Sequence, residues 1–109
     1  MSVLNEHDRR SISDPAGETA QEARAVALRN RMMGEWAAGL MGLESRVAYA
    51  QAVGRPGHEP PSDEDVLRKV SQDLAGSGLS VSLSEVRARM DEFLAQARGR
   101  LENEVGDAV

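Results

Sequence analysis

The chain has 109 residues, no cysteine, three aromatic residues and a formal charge of −5 from 13 cations and 18 anions. One domain of ordinary size accounts for that length, and so few Ile, Tyr, Phe and Trp residues leave too little β-forming material for an all-β fold. Alanine supplies 15 of the hydrophobic residues, so the expected core is small, aliphatic and close-packed, and the absence of cysteine removes disulfides, thiolate nucleophiles and the usual structural zinc sites.

Residues 1–17 show no periodicity, carry mixed charge and end in Ser13-Asp14-Pro15-Ala16-Gly17. They are expected to form a flexible N-terminal segment, and Met1 to Asp14, polar and mixed in charge, is not expected to be a secretory signal or transit peptide. A helical domain is expected over 18–105. Its first helix spans about 19–41. Thr19-Ala20-Gln21-Glu22 has the form of a capping box, with Asp14-Pro15 as a competing start. Met32, Trp36 and Leu40 recur at fourfold spacing beside Met33, Ala37 and Met41, which makes one apolar stripe. Gly42 is placed to end it.

A second helix is expected over about 43–54, with Leu43, Val47 and Ala50 on one face and Tyr49 and Val53 beside them. Gly54-Arg55-Pro56-Gly57 stops it. Ser62-Asp63-Glu64-Asp65 then caps a third helix over 62–76, whose stripe is Val66, Leu67, Val70 and Leu74. The fourth, over 82–104, opens on Ser82-Leu83-Ser84-Glu85 and carries Leu83, Val86, Met90, Phe93, Leu94, Ala97 and Leu101 at offsets of three and four. Its acidic end lies at the wrong pole of the helix dipole, so fraying is expected there. The expected fold is all-α, a small four-helix bundle with a flexible lead-in.

Charge is uneven along the chain. Residues 1–22 carry net −3, residues 23–58 net +3 and residues 59–109 net −5. An acidic molecule with one basic segment is poorly suited to nucleic acid, which needs a concentrated positive face. It suits a protein partner. No apolar run approaches the roughly 18–20 residues of a membrane span, so direct membrane insertion is not expected and a cytoplasmic protein is.

No active site is legible. His7 and His58 are the only imidazoles and have no second histidine at metal-ligand spacing. Asp63, Glu64 and Asp65 lack the alternating acids and central glycine of a calcium loop, and capping explains them more simply. Catalytic, metal-binding and cofactor-binding residues are therefore not expected. The unusual stretch is 29–42, where Gly34, Gly39 and Gly42 interrupt a helical pattern at roughly 1 kcal/mol each against alanine. Close helix–helix approach is the structural explanation, with Trp36 in the core. For Arg24, Arg29 and Arg31 a solvated face and a contact surface stand equal.

Arg29-Asn30-Arg31-Met32-Met33-Gly34-Glu35-Trp36-Ala37-Ala38 resembles the Arg-Asn-Lys-Leu-Leu-Gly-Leu-Trp-Ala-Ala signature of the zeta inhibitor subunits of alphaproteobacterial F-type ATP synthases. Tyr49-Ala50, Asp63 through Val70 with Asp73-Leu74, and Val81-Ser82 through Glu85 with Arg87 and Met90-Asp91-Glu92 resemble the same family in collinear order over residues 22–98. The resemblance implies a non-catalytic four-helix subunit that binds the catalytic head of the ATP synthase and blocks ATP hydrolysis. Arg24, Arg29, Asn30 and Arg31 would then be the partner-binding residues. Ser13 to Thr19 lacks the Lys and Phe of the family's Lys-Phe-Ala-His-Asp-Glu-Glu stretch, and Pro15 and Gly17 disfavour an extended N-terminal helix. A second reading therefore stands beside the first, a helical protein-interaction module that has lost ATPase inhibition.

Overall fold

Among the described residues four helices form where the apolar residues recur at three and four, and they pack as one all-α bundle. The computed structural model describes residues 15–55 and 61–108, with side chains for residues 19–55 and 61–104. The helices are α1 (Pro15–Met41), α2 (Arg46–Gly54), α3 (Asp63–Gly76) and α4 (Leu83–Ala108). Residues 1–14 of the expected flexible segment lie outside the described residues, as do His58 and the rest of residues 56–60.

Helix α1 starts at Pro15, so residues 15–17 are helical and not part of a lead-in. Proline's fixed φ and missing N–H suit the first helical turn. Thr19 consequently sits inside the helix and does not cap it. The Glu22 carboxylate is turned to Arg98 of α4, accepting two hydrogen bonds at 2.6 and 3.1 Å. At the other end Gly42 takes φ +70°, and the Leu43 N–H donates to the Ala38 carbonyl at 3.0 Å. That pair closes the helix in the left-handed turn that glycine enters at little cost.

The turn places Ser45 as cap of α2, its hydroxyl accepting from the Ala48 N–H at 3.1 Å. Helix α2 therefore starts three residues later than the pattern suggests and folds back along α1. At Gly34 a Cβ would lie 2.5 Å from the Ala50 Cα. Only glycine permits this backbone approach. Ala50 and Val53 face inward, whereas Leu43 is 39 % and Val47 61 % exposed. The expected Leu43–Val47 stripe is thus a surface. The contact at Gly34 sets the rotation of so short a helix, and its inner face is Tyr49, Ala50 and Val53.

Helix α3 follows its pattern closely. Ser62 and Asp65 exchange side-chain-to-backbone hydrogen bonds as a full capping box. Val66, Leu67, Val70 and Leu74 are all buried, and each such burial stabilises by about 1.5–3 kcal/mol, an upper figure for an extended unfolded chain. They meet Met33 and Ala37 of α1, Val53 of α2, and Val86 and Met90 of α4 in the central core. Tyr49 is half-buried against it. Its hydroxyl donates to Asp73 at 2.7 Å, and Lys69 donates to the same carboxylate at 3.1 Å. Burial and the neighbouring Asp73 push the Tyr49 hydroxyl well above the ordinary tyrosine range, so it stays protonated.

Helix α4 runs antiparallel to α1, pairing Arg98 with Glu22 and Phe93 with Trp36. Val86, Met90 and Ala97 are buried, Phe93, Leu94 and Leu101 partly so, and Leu83 in the first turn is 55 % exposed. The backbone stays helical to Ala108, beyond the point where fraying is expected. Trp36 and Phe93 meet edge-to-face with ring centroids 6.4 Å apart, on the margin of the core. None of the described helices is long and apolar enough to cross a membrane.

Candidate partner-binding surface

The four residues singled out for partner contact divide sharply in space. Arg29 and Asn30 are each 2 % exposed. Arg29 donates through Nε to the Asn30 side-chain oxygen at 2.8 Å and through a terminal nitrogen to Asp63 at 2.7 Å. The guanidinium passes from α1 across the bundle and meets the first turn of α3. A buried charge demands pairing, because an unpaired one would cost several kcal/mol. In this fold Arg29, supported by Asn30 beside it, joins α1 to α3. Arg24 and Arg31 lie on the exposed side of α1.

Helical spacing explains the division. Arg29, Met33 and Ala37 follow one another at fourfold steps along the buried stripe, whereas Arg24, Arg31 and Glu35 fall on the outer arc. The long aliphatic stem of arginine allows burial along apolar neighbours, provided the planar head finds a carboxylate.

The three acids of the third helix are likewise engaged. Asp63 holds Arg29, Glu64 meets Arg87 at 3.3 Å, and Asp65 caps the helix while contacting Arg68 at 2.9 Å and Arg55 at 3.7 Å. Hydrogen bonds with Ser62 hold the Asp65 carboxyl below its ordinary range, with Arg68 and Arg55 adding to the effect. Hydrogen bonding to Arg98 lowers Glu22 in the same way. Among the described residues no group of three or more His, Cys, Asp or Glu is arranged to hold a metal ion.

Two grooves flank Arg31. One, between α1 and α2, is lined by Ala27, Arg31, Glu35, Val47, Ala50, Gln51 and Gly54. The other, of about 370 Å³, lies between α1 and α4 and is lined by Leu28, Arg31, Met32, Glu35, Trp36, Arg46, Phe93 and Arg100. Arg46 reaches it from the start of α2 by lying across Gly39, its guanidinium carbon 3.4 Å from where a Cβ would stand. Beside the groove, the Arg89 guanidinium stacks on the Trp36 ring at 5.7 Å and pairs with Glu92 at 2.8 Å. Arg46 and Arg100 are surface residues that sequence reasoning missed. The only hint was the sevenfold step from Phe93 to Arg100, which puts both on one side of α4.

Arg24, Arg31, Arg46 and Arg100 have no acidic partner within 4.0 Å among the described residues, whereas Arg29, Arg55, Arg68, Lys69, Arg87, Arg89 and Arg98 each have one.

The helical order, the buried Arg29-Asn30 pair and the close approach at Gly34 all fall within a longer stretch of family similarity. No curated protein matches the sequence. The family model described as ATPase inhibitor subunit zeta matches residues 1–100, which takes in the N-terminal stretch that the motif resemblance left out. The chain belongs to the ATPase inhibitor subunit zeta family.

Proposed function

We propose that this protein is a non-catalytic regulatory subunit that binds the catalytic head of an F-type ATP synthase and suppresses ATP hydrolysis. The family match over residues 1–100 carries the reading. That match extends through the segment before α1, and so favours inhibition over a bundle that has lost its inhibitory arm. A cytoplasmic location, a protein partner and the absence of membrane insertion belong to the same reading.

The outer face of α1 would make the contact, through Arg24 and Arg31. Arg29 and Asn30 would act from inside, by holding α1 against α3 so that this face is presented as a rigid surface. Inhibition by such a helix is a matter of differential affinity: it binds one rotational state of the head better than the others and so holds it there. A free concentration of 100 times Kd favours the bound state by about 2.7 kcal/mol.

ATP turnover by the detached catalytic head, measured with the full chain in excess, tests the reading. Turnover should fall, and the double variant R24E/R31E should restore most of it. Unchanged turnover with the unsubstituted protein would overturn it.

A further inference from the structure

We propose that the α1–α4 groove around Trp36 docks an acidic amphipathic helix of a protein partner, with Arg31, Arg46 and Arg100 as its cationic rim. The inference deepens the reading above, on which its choice of partner rests. Its own basis is an imbalance of charge. Anions outnumber cations in this chain by 18 to 13, so carboxylates are not scarce. Yet of the four arginines left without an acidic partner among the described residues, three converge on this one groove. They come from three different helices. Glu35 is the single acid in the lining.

Between these charged residues the lining includes Met32, Trp36 and Phe93, each only partly buried. Guanidinium forks pair well with carboxylates, and the part-exposed apolar side chains between them take aliphatic ones. Both features together fit a helix with Glu or Asp on its flanks and Leu-like residues on its contact face. A nucleic acid would meet the same arginines, but three cations beside Glu35 fall short of the concentrated positive face that phosphates require.

Trp36 is the only tryptophan, so its emission reports on the groove directly. The probe is a synthetic 18-residue helix of Leu and Glu, titrated into the full-length protein at low salt. We expect a saturable change in Trp36 emission that weakens as salt is raised. The same helix with Lys in place of Glu should give none. The double variant R46Q/R100Q should weaken the response at least about tenfold, whereas R68Q/R87Q, altered on other surfaces, should keep it; circular dichroism establishes that both variants are folded. The inference is overturned if the Leu/Glu helix leaves emission unchanged, or if R46Q/R100Q responds like the unsubstituted protein. It is also overturned if inorganic phosphate or duplex DNA gives an equal response. None of these results bears on whether turnover of the ATP synthase head falls, so the two readings fail separately. With the head as partner, R46Q/R100Q should raise the concentration for half-inhibition about tenfold. An unchanged value would overturn the groove's role in that contact.

Discussion

Arg29 and Gly34, five residues apart in one helix, show how position decides the use of a side chain. Arg29 is buried because Asp63 meets it at 2.7 Å, although Asp63 itself is 67 % exposed. Replacing the acid leaves a buried guanidinium with only Asn30. Asp63→Asn should therefore destabilise the fold by about 1.5–3 kcal/mol, the range for hydrogen bonds to charged groups, measured by urea unfolding. Gly34 fails for a different reason. A methyl group there would meet the Ala50 backbone, which cannot yield as a flexible side chain would. Gly34→Ala should cost about 1–3 kcal/mol through forced separation of α1 and α2, despite alanine's better helix propensity. A lowered thermal midpoint would show it, and a raised one would contradict the close approach.

Caps and pattern strength decide how each element behaves. The α3 capping box unites Ser62 and Asp65, and Ser62→Ala should cost about 1 kcal/mol. Asp65 titrates below its ordinary range because Ser62 and nearby arginines favour its charged form. A carboxylate lowered by folding stabilises in full above its unfolded pKa, and that contribution is lost as pH falls through the folded value. Stability should thus decline from the ordinary carboxylate range downward, and Ser62→Ala should flatten the decline. Unfolding measured at a series of pH values checks both. Helix α3 was legible because four apolar residues and a complete cap agree. For helix α2 the pattern runs three residues too long and points to the wrong face, since nine residues hold too few turns to fix a face and a tertiary contact at Gly34 overrides the local pattern. For α1 the capping-box motif at Thr19 lost to Pro15, and Glu22, inside the helix instead of at its cap, pairs with Arg98.

Across the whole molecule, α1 and α4 lie antiparallel, clasped by Glu22–Arg98 at one end and Trp36–Phe93 at the other. These two contacts differ in worth. The ion pair is exposed on both sides, and pairs of that kind add little. The edge-to-face rings should couple by about 0.5–1.5 kcal/mol. A double-mutant cycle with Trp36→Leu and Phe93→Leu would measure that coupling, and a value near zero would show the rings to be mere filler. The same antiparallel clasp creates the Arg31–Arg46–Arg100 groove, which no segment of sequence contains.

Periodicity, capping residues and the absence of cysteine were enough to determine an all-α chain with its core on Met33, Ala37, Val70, Leu74, Val86 and Met90. These are local properties, repeated often enough that packing had little freedom to alter them. Three matters were left to tertiary structure: which arginines are buried, which face α2 turns inward, and which cations converge. Arg29 and Arg31 are two residues apart and chemically identical, yet one is paired inside the bundle and the other stands on a groove. Helix geometry puts them on different arcs, and only the arrival of Asp63 from a distant helix makes the burial of Arg29 affordable in free energy.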